Sequence, residues 1–144
     1  MVKEITDYNI INEFINQPSV RPYVAMESKG VLDVRKLGFD DPTFLGYINN
    51  NELLGLLVLE HYPNQVHEAH IFFNRQGRRD AKSAGKLMID WIDSKYPHQF
   101  VFGKTPSKNT LAKKYAELWG FQYVKQTDSK YIPGVKFDWC FRWR

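Results

Sequence analysis

Residues 66–85 read VHEAHIFFNRQGRRDAKSAG, and the change of period inside this stretch decides how the chain is built. Residues 66–73 read as a strand. Beyond them Ala81, Ala84, Met88, Trp91 and Ile92 fall on one face of a helix predicted over 79–94, which Pro97 stops. A strand that runs into a helix sets a helix N-terminus at its end. The backbone N–H groups there lack partners, and the partial positive charge draws anions. Gly77 lets the main chain approach a phosphate closely, and Arg78, Arg79 and Lys82 add formal charge beside it. The same residues also suit a solvated basic helix end.

Elements are legible on both sides of this stretch. Upstream, Thr6 or Asp7 is a good helix cap, and Ile10, Ile11, Phe14 and Ile15 recur at helical spacing until Pro18. Residues 19–29 leave two readings open, a short second helix or a loop around 23–28. Residues 44–48 and 52–60 flank Asn49-Asn50-Asn51 as a hairpin, because Asn tolerates the positive φ of such turns. Pro63-Asn64 turns the chain into the strand already described. Downstream, the uncharged residues 99–103 predict a short buried strand. Thr105-Pro106-Ser107 then leads into a helix over 108–119 with Leu111, Ala112, Tyr115, Leu118 and Trp119 as its apolar stripe. Gly120 suits the C′ position of that helix. Residues 121–126 and 135–143 close the chain as two strands joined through Pro133-Gly134. Helices and strands in this order predict one α/β domain over 1–144, a mixed sheet flanked by helices.

Composition narrows the function classes. The chain has 144 residues, 43% apolar and 25% charged, enough for one domain with a real core. Cys140 is the only cysteine, so no disulfide forms within the chain, and its place in the alternating C-terminal run reads as a strand residue rather than a nucleophile. No apolar stretch approaches a membrane span, and residues 1–7 lack the apolar segment of a secretory signal, so a cytoplasmic location is expected. The net charge of +4 predicts no nucleic-acid partner by itself. Charge is concentrated instead in two clusters, one of Arg75, Arg78, Arg79, Lys82 and Lys86, the other of Lys104, Lys108, Lys113 and Lys114. Each stands at or just inside the start of a predicted helix. Without a recognition motif, they leave nucleic-acid binding a minor reading.

Residues 109–121, NTLAKKYAELWGF, carry the most specific pattern. An Asn opens the helix, a small Ala follows three residues on, and Gly-Phe ends it. Asn109 therefore reads either as a cap or as a group that orients a bound chain, and small Ala112 leaves room for something to lie against the helix. On these residues, and on Gln76 and Ala81 at the ends of the phosphate-loop pattern, the chain resembles the GCN5-related N-acetyltransferases (GNAT). Arg79 departs from the family's central Gly. Ala116 stands where many members have a Tyr that protonates the departing thiolate, and Tyr115, one residue earlier, reads as core.

The resemblance implies the GNAT acyl-CoA N-acyltransferase fold and acetyl-CoA, or another acyl-CoA, as co-substrate. It implies that the main chain of Ile71, Phe72 and Phe73 pairs with pantetheine where two central strands splay. It further implies that Gln76, Gly77, Arg78, Arg79, Asp80, Ala81 and Lys82 hold the pyrophosphate, and that Asn109, Ala112 and Tyr115 line the cofactor side of the last helix. The general base is Glu68 first and His70 second, which alternation puts on one strand face, with His67 and Ala69 on the other. Glu60 and His61 are outside candidates. No metal is expected, because His67 and His70 point opposite ways on a strand instead of sharing a helical face. The acceptor is a small-molecule or protein amine.

A narrower likeness rests on Gln17-Pro18-Ser19-Val20-Arg21-Pro22 after the opening helix, on Val66-His67-Glu68-Ala69-His70 and on Gly77-Arg78-Arg79-Asp80-Ala81. With these the chain is similar to GNAT-like proteins of tailed phages. That likeness implies a host cytoplasm or a virion as its location. It also opens an alternative, in which a non-catalytic protein of this fold acts as a virion component or binds a host protein. A homodimer is compatible with either reading.

Overall fold

The computed structural model describes residues 1–25, 30–97, 100–130 and 132–143. Seven strands form one sheet in the order β1-β2-β3-β4-β5-β7-β6. They are β1 (Val2–Glu4), β2 (Thr43–Asn49), β3 (Glu52–Tyr62), β4 (Val66–Phe73), β5 (Phe100–Pro106), β6 (Gln122–Asp128) and β7 (Lys136–Trp143). All neighbours are antiparallel except β4 and β5, which run parallel. Among the described residues, four α-helices accompany the sheet: α1 (Tyr8–Ile15), α2 (Arg21–Val24), α3 (Ala81–Lys95) and α4 (Thr110–Leu118).

Local chemistry accounts for the boundaries. Asp7 caps α1 by accepting from the Asn9 amide. The β2–β3 hairpin turns through Asn50 and Asn51, at φ 51° and 61°, the two positive values such a tight turn requires. Gly120, at φ 94°, reverses the chain after α4. Between Leu54 and Glu60 every residue of β3 is buried, as in a strand covered on both faces.

Several boundaries differ from the sequence reading. β1 is too short to show a period and exists through its pairing with β2. A 3-10 turn over Val34–Lys36, capped by Asp33, was also not foreseen. The helix expected from residue 79 is a 3-10 turn over Gly77–Asp80 followed by α3 proper. β5 runs on to Pro106, past the expected end at residue 103, because Lys104, Thr105 and Pro106 pair with Trp139, Asp138 and Phe137 of β7. Residue 99 of that expected strand lies outside the described residues, as do residues 26–29 of the ambiguous stretch.

Two apolar layers sandwich the sheet. On one face Leu57, Leu59, Val101 and Cys140 pack under Ala84, Met88, Ile89 and Ile92 of α3 and Ala116 of α4. On the other, Phe44, Leu56 and Val58 pack under Ile11, Phe14 and Ile15 of α1 and under Val20, Leu32 and Val34. Each large side chain removed from water contributes on the order of 1.5–3 kcal/mol. α3 and α4 meet through Trp119, whose indole lies on Gly85 and donates to the Lys82 carbonyl at 2.9 Å. A methyl group at position 85 would stand 2.0 Å from the indole ring. Among the described residues no helix is long and apolar enough to cross a membrane.

Gly85→Ala is therefore expected to lower stability by about 1–3 kcal/mol through overpacking. The measurement is a urea midpoint that falls at constant slope. An unchanged midpoint would mean that Trp119 moves aside freely.

Candidate active site

The sheet opens between its two parallel strands. β4 and β5 pair only at Val66 with Phe100, His67 with Val101 and Glu68 with Phe102. Past that point each strand continues with its other neighbour. β4 stays paired with β3 through Phe73 opposite Gly55, and β5 stays paired with β7 through Pro106 opposite Phe137. Near the apex a Cβ on Gly103 would lie 3.2 Å from the Ala69 carbonyl oxygen. Ile71, Phe72 and Phe73 sit on the parted edge of β4, where the sequence reading put them, and all three are only partly buried. Main-chain groups on two such edges can pair with an extended amide chain laid between them.

The loop after β4 is built by a residue that sequence reasoning passed over. Asn74 is buried and accepts from the Gly77 amide at 2.8 Å, while its own amide group donates to Gln17 and to the Leu53 carbonyl. An Asn just after a strand carries no distinguishing signal in one sequence. Gly77 has a reason to be small that the sequence reading did not include. A Cβ there would lie 2.0 Å from the Leu54 carbonyl oxygen, so the residue is small to fit against β3.

The side chains expected to meet a pyrophosphate divide into two groups. Gln76, Arg79 and Asp80 line a hollow of about 420 Å³ with Asn49, Asn50 and Glu52. Asp80 also accepts from the Tyr47 hydroxyl at 3.0 Å. Arg78 instead turns toward the α1–α2 connection, donating to the Ser19 carbonyl at 2.6 Å and covering the Tyr23 ring. Ala81 is buried in the core, and Lys82 stands exposed on the first turn of α3. Arg79 and Lys82 are thus left without the ties to the α1–α2 connection that Arg78 makes.

On α4, Asn109 caps the helix, its side-chain oxygen accepting from the Ala112 amide at 3.1 Å. Tyr115 stacks on Trp119, with ring centroids 6.0 Å apart, and Ala116 is buried. The first turn of α4 is tied to the sheet by Asp138, which pairs with Lys113 and accepts from Ser107 at 2.7 Å and Gln126 at 2.9 Å. These donors, Lys113 first, hold its carboxyl down at about 2.

Three ionisable side chains gather where the strands part, on the α1 face of the sheet. Glu60 stands opposite Glu68 across β3 and β4, and His70 follows one alternation later. His70 Nε2 lies 2.7 Å from Glu60 Oε2 and 3.6 Å from Glu68 Oε2. Glu68 also accepts from the Tyr62 hydroxyl at 3.1 Å and lies 3.8 Å from Lys104 Nζ. Burial alone would raise the pKa of Glu60, but hydrogen bonds from His70 and the Asp40 amide hold it below the ordinary carboxylate value. Burial, then the two carboxylates, push the Tyr62 hydroxyl up.

Glu60 thus belongs to the centre of the cluster, although sequence spacing alone made it peripheral. His61 and His67 pack on the opposite face with Tyr96, and His67 does not join His70. Among the described residues, Glu60, Glu68 and His70 could offer a cation one ligand atom each, all within 4.8 Å. In the structure these atoms are already engaged with one another and with Asp40, Tyr62 and Lys104. Cys140 is buried, and its thiol is pushed up to about 11 by that burial, which removes it as a nucleophile.

A mixed sheet whose parallel pair parts after three residues, with a basic loop and helix behind the gap, is a specific geometry. This is the fold of the GNAT N-acetyltransferases. An N-acetyltransferase from Staphylococcus aureus Mu50 superposes at TM-score 0.74 and 14% identity, over 99% of this chain and 96% of its own. AAC(6′)-Ib in complex with paromomycin and acetyl-CoA gives 0.77 and 12%, over 100% and 93%. A spermidine N-acetyltransferase chimera of the Vibrio cholerae and hSSAT proteins gives 0.75 and 12%, over 99% and 94%. No protein-family model and no curated protein matches the sequence. Conservation of the GNAT fold at such low identity means that backbone geometry, more than side-chain identity, is shared.

The ties of Asp138 have a pH signature. Its carboxyl is depressed in the folded chain, so the stability it contributes is present above the ordinary value of 3.8 and is lost as pH falls through about 2. The difference in melting temperature between wild type and Asp138→Asn should narrow across that window. A difference that stays constant with pH would show that the ion pair is not what holds α4.

Proposed function

We propose that the chain is an acyl-CoA-dependent N-acyltransferase, most simply an acetyltransferase, that moves the acyl group to a primary amine. The observation that carries this reading is the loss of pairing between β4 and β5 after Glu68 and Phe102. Acyl-CoA would supply an activated acyl carbon as a thioester. The main chain of Ile71, Phe72 and Phe73 would hold the pantetheine arm along the parted edge. Arg79, Lys82 and the α3 N-terminus would hold the diphosphate. Asn109, Ala112 and Tyr115 form the α4 wall on the cofactor side.

The acceptor nitrogen bonds to the acyl carbon as the carbon–sulfur bond breaks. The amine proton passes to the cluster of Glu68 and His70, and water protonates the departing thiolate. Holding both reactants in one gap supplies much of the rate, and a backbone N–H on the parted edge can stabilise the developing oxyanion. Names among the structural neighbours include an acetyl-CoA complex and a spermidine acetyltransferase, which supports an amine as acceptor.

A second reading, a non-catalytic protein of this fold, rests on position 116. Ala116 is buried and carries no hydroxyl, and the ring of neighbouring Tyr115 is stacked on Trp119. In that reading the protein would be a phage virion component or a binder of a host protein.

Acetyl-CoA at a hundredfold excess over its Kd is expected to stabilise the fold by ~2.7 kcal/mol, read as a higher melting temperature. Thiol should then appear with at least one member of a primary-amine panel. Stabilisation without thiol release would favour the non-catalytic reading, and no stabilisation at all would reject the cofactor site. Arg79→Ala is expected to weaken acetyl-CoA binding by roughly tenfold, the loss of one charge-assisted contact. Equal affinity by calorimetry would take Arg79 out of the site.

A further inference from the structure

Within the acyl-transfer reading, on which this rests, the geometry points to His70 as the group that takes the amine proton, with Glu60 as its positioning residue and Glu68 not the base. Reach separates the three. The His70 side chain keeps 24% of its surface exposed, against 8% for Glu60 and 6% for Glu68. A base must come within a hydrogen bond, or one water, of the nitrogen it deprotonates. Of the two carboxylates, Glu68 is further closed off by the Tyr62 hydroxyl and the Lys104 ammonium.

Hydrogen bonding then fixes which nitrogen acts. Glu60 is an ionised carboxylate and can only accept, so His70 Nε2, at 2.7 Å, carries the proton of that bond. In the neutral ring the lone pair is left on Nδ1. Glu60 cannot swing away, because its other oxygen accepts from the Asp40 amide at 2.8 Å. Phe39 packs against the imidazole with centroids 5.2 Å apart and limits its rotation. His70 also follows Ala69, whose carbonyl marks the apex of the gap.

The proton therefore moves from the attacking amine to Nδ1 as the nitrogen–carbon bond forms. The imidazolium so produced lies beside Glu60 and within 3.6 Å of Glu68, and it later releases its proton to water. Among the described residues, the charged and titratable side chains gathered with it include Glu60 and Tyr62 from β3, Glu68 from its own strand and Lys104 from β5, which pairs with Glu68. The segment above contributes the Asp40 amide. A carboxylate that holds an imidazole in one tautomer is a familiar device in acyl transfer. Here it is assembled from two neighbouring strands.

The test uses the full chain with acetyl-CoA and three probe amines, spermidine, 2-phenylethylamine and a lysine-containing peptide. His70→Gln should cut kcat by about 100-fold or more with acetyl-CoA affinity retained. Glu60→Gln should cut it less, because the imidazole remains but is no longer held in one tautomer by a carboxylate. Glu68→Gln should lose less activity than His70→Gln. In nitrogen-15 spectra of the wild type, His70 should carry its proton on Nε2, and Glu60→Gln should weaken that preference. This readout, with the melting temperature, separates positioning from misfolding.

An active wild type whose His70→Gln variant remains active, or whose Glu68→Gln variant loses most, overturns the assignment and leaves the transferase reading standing. Activity abolished by a chelator and restored by a divalent cation also overturns it, since the trio would then be a metal site. A wild type that binds acetyl-CoA but releases thiol with none of the amines removes the transferase reading, and the role of His70 with it.

Discussion

Everything in this molecule depends on two parallel strands that stop pairing while each stays bonded to its other neighbour. β4 cannot close onto β5 because β3 holds it through Phe73, and β5 cannot close onto β4 because β7 holds it through Pro106. Unpaired peptide groups in the middle of a sheet are costly when water is excluded. The parted edges are therefore a standing demand for hydrogen-bond partners. The ordering entropy of that gap is met in folding, so a ligand need not supply it again.

Packing behind the gap keeps it open. Trp119 seats on Gly85 and binds the Lys82 carbonyl, fixing α4 against α3 where the loop after β4 ends. Gly77 lies against the Leu54 carbonyl, and Asn74 stitches the same loop to β3 and to Gln17. A loop held on so many sides presents its cations without much choice of position. One result is that Arg78 is spent on Ser19 and Tyr23, which leaves Arg79 facing the hollow. The large residue at a position the family gives to Gly thus lines that hollow beside Gln76 and Asp80.

Across the sheet, two buried carboxylates sit side by side, an arrangement that is unfavourable alone because like charges in a poorly hydrated site repel. The structure relieves it with donors: His70 and the Asp40 amide on Glu60, Tyr62 and Lys104 on Glu68. The cluster lies at the apex of the gap because Glu68, which faces Glu60 across β3, is also the last residue of β4 to pair with β5.

How much was written in the chain itself follows from the range of the forces involved. Period, caps and turn residues act over a few positions, so α1, the Asn50-Asn51 hairpin, α3, α4 and the face shared by Glu68 and His70 were legible from residue order. The family resemblance carried jointly by the Gln76–Ala81 and Asn109–Phe121 motifs then pointed to the fold. β1 and the extension of β5 to Pro106 were not legible, because pairing with a distant strand creates them. The same holds for the site. Sequence alone determined that a strand bearing Glu68 and His70 leads into a basic helix start. Only tertiary structure decided that Glu60 joins them, that Arg78 faces away and that Gly77 is small for the sake of β3. Each of those facts depends on contacts between residues far apart in the chain, and no local pattern records them.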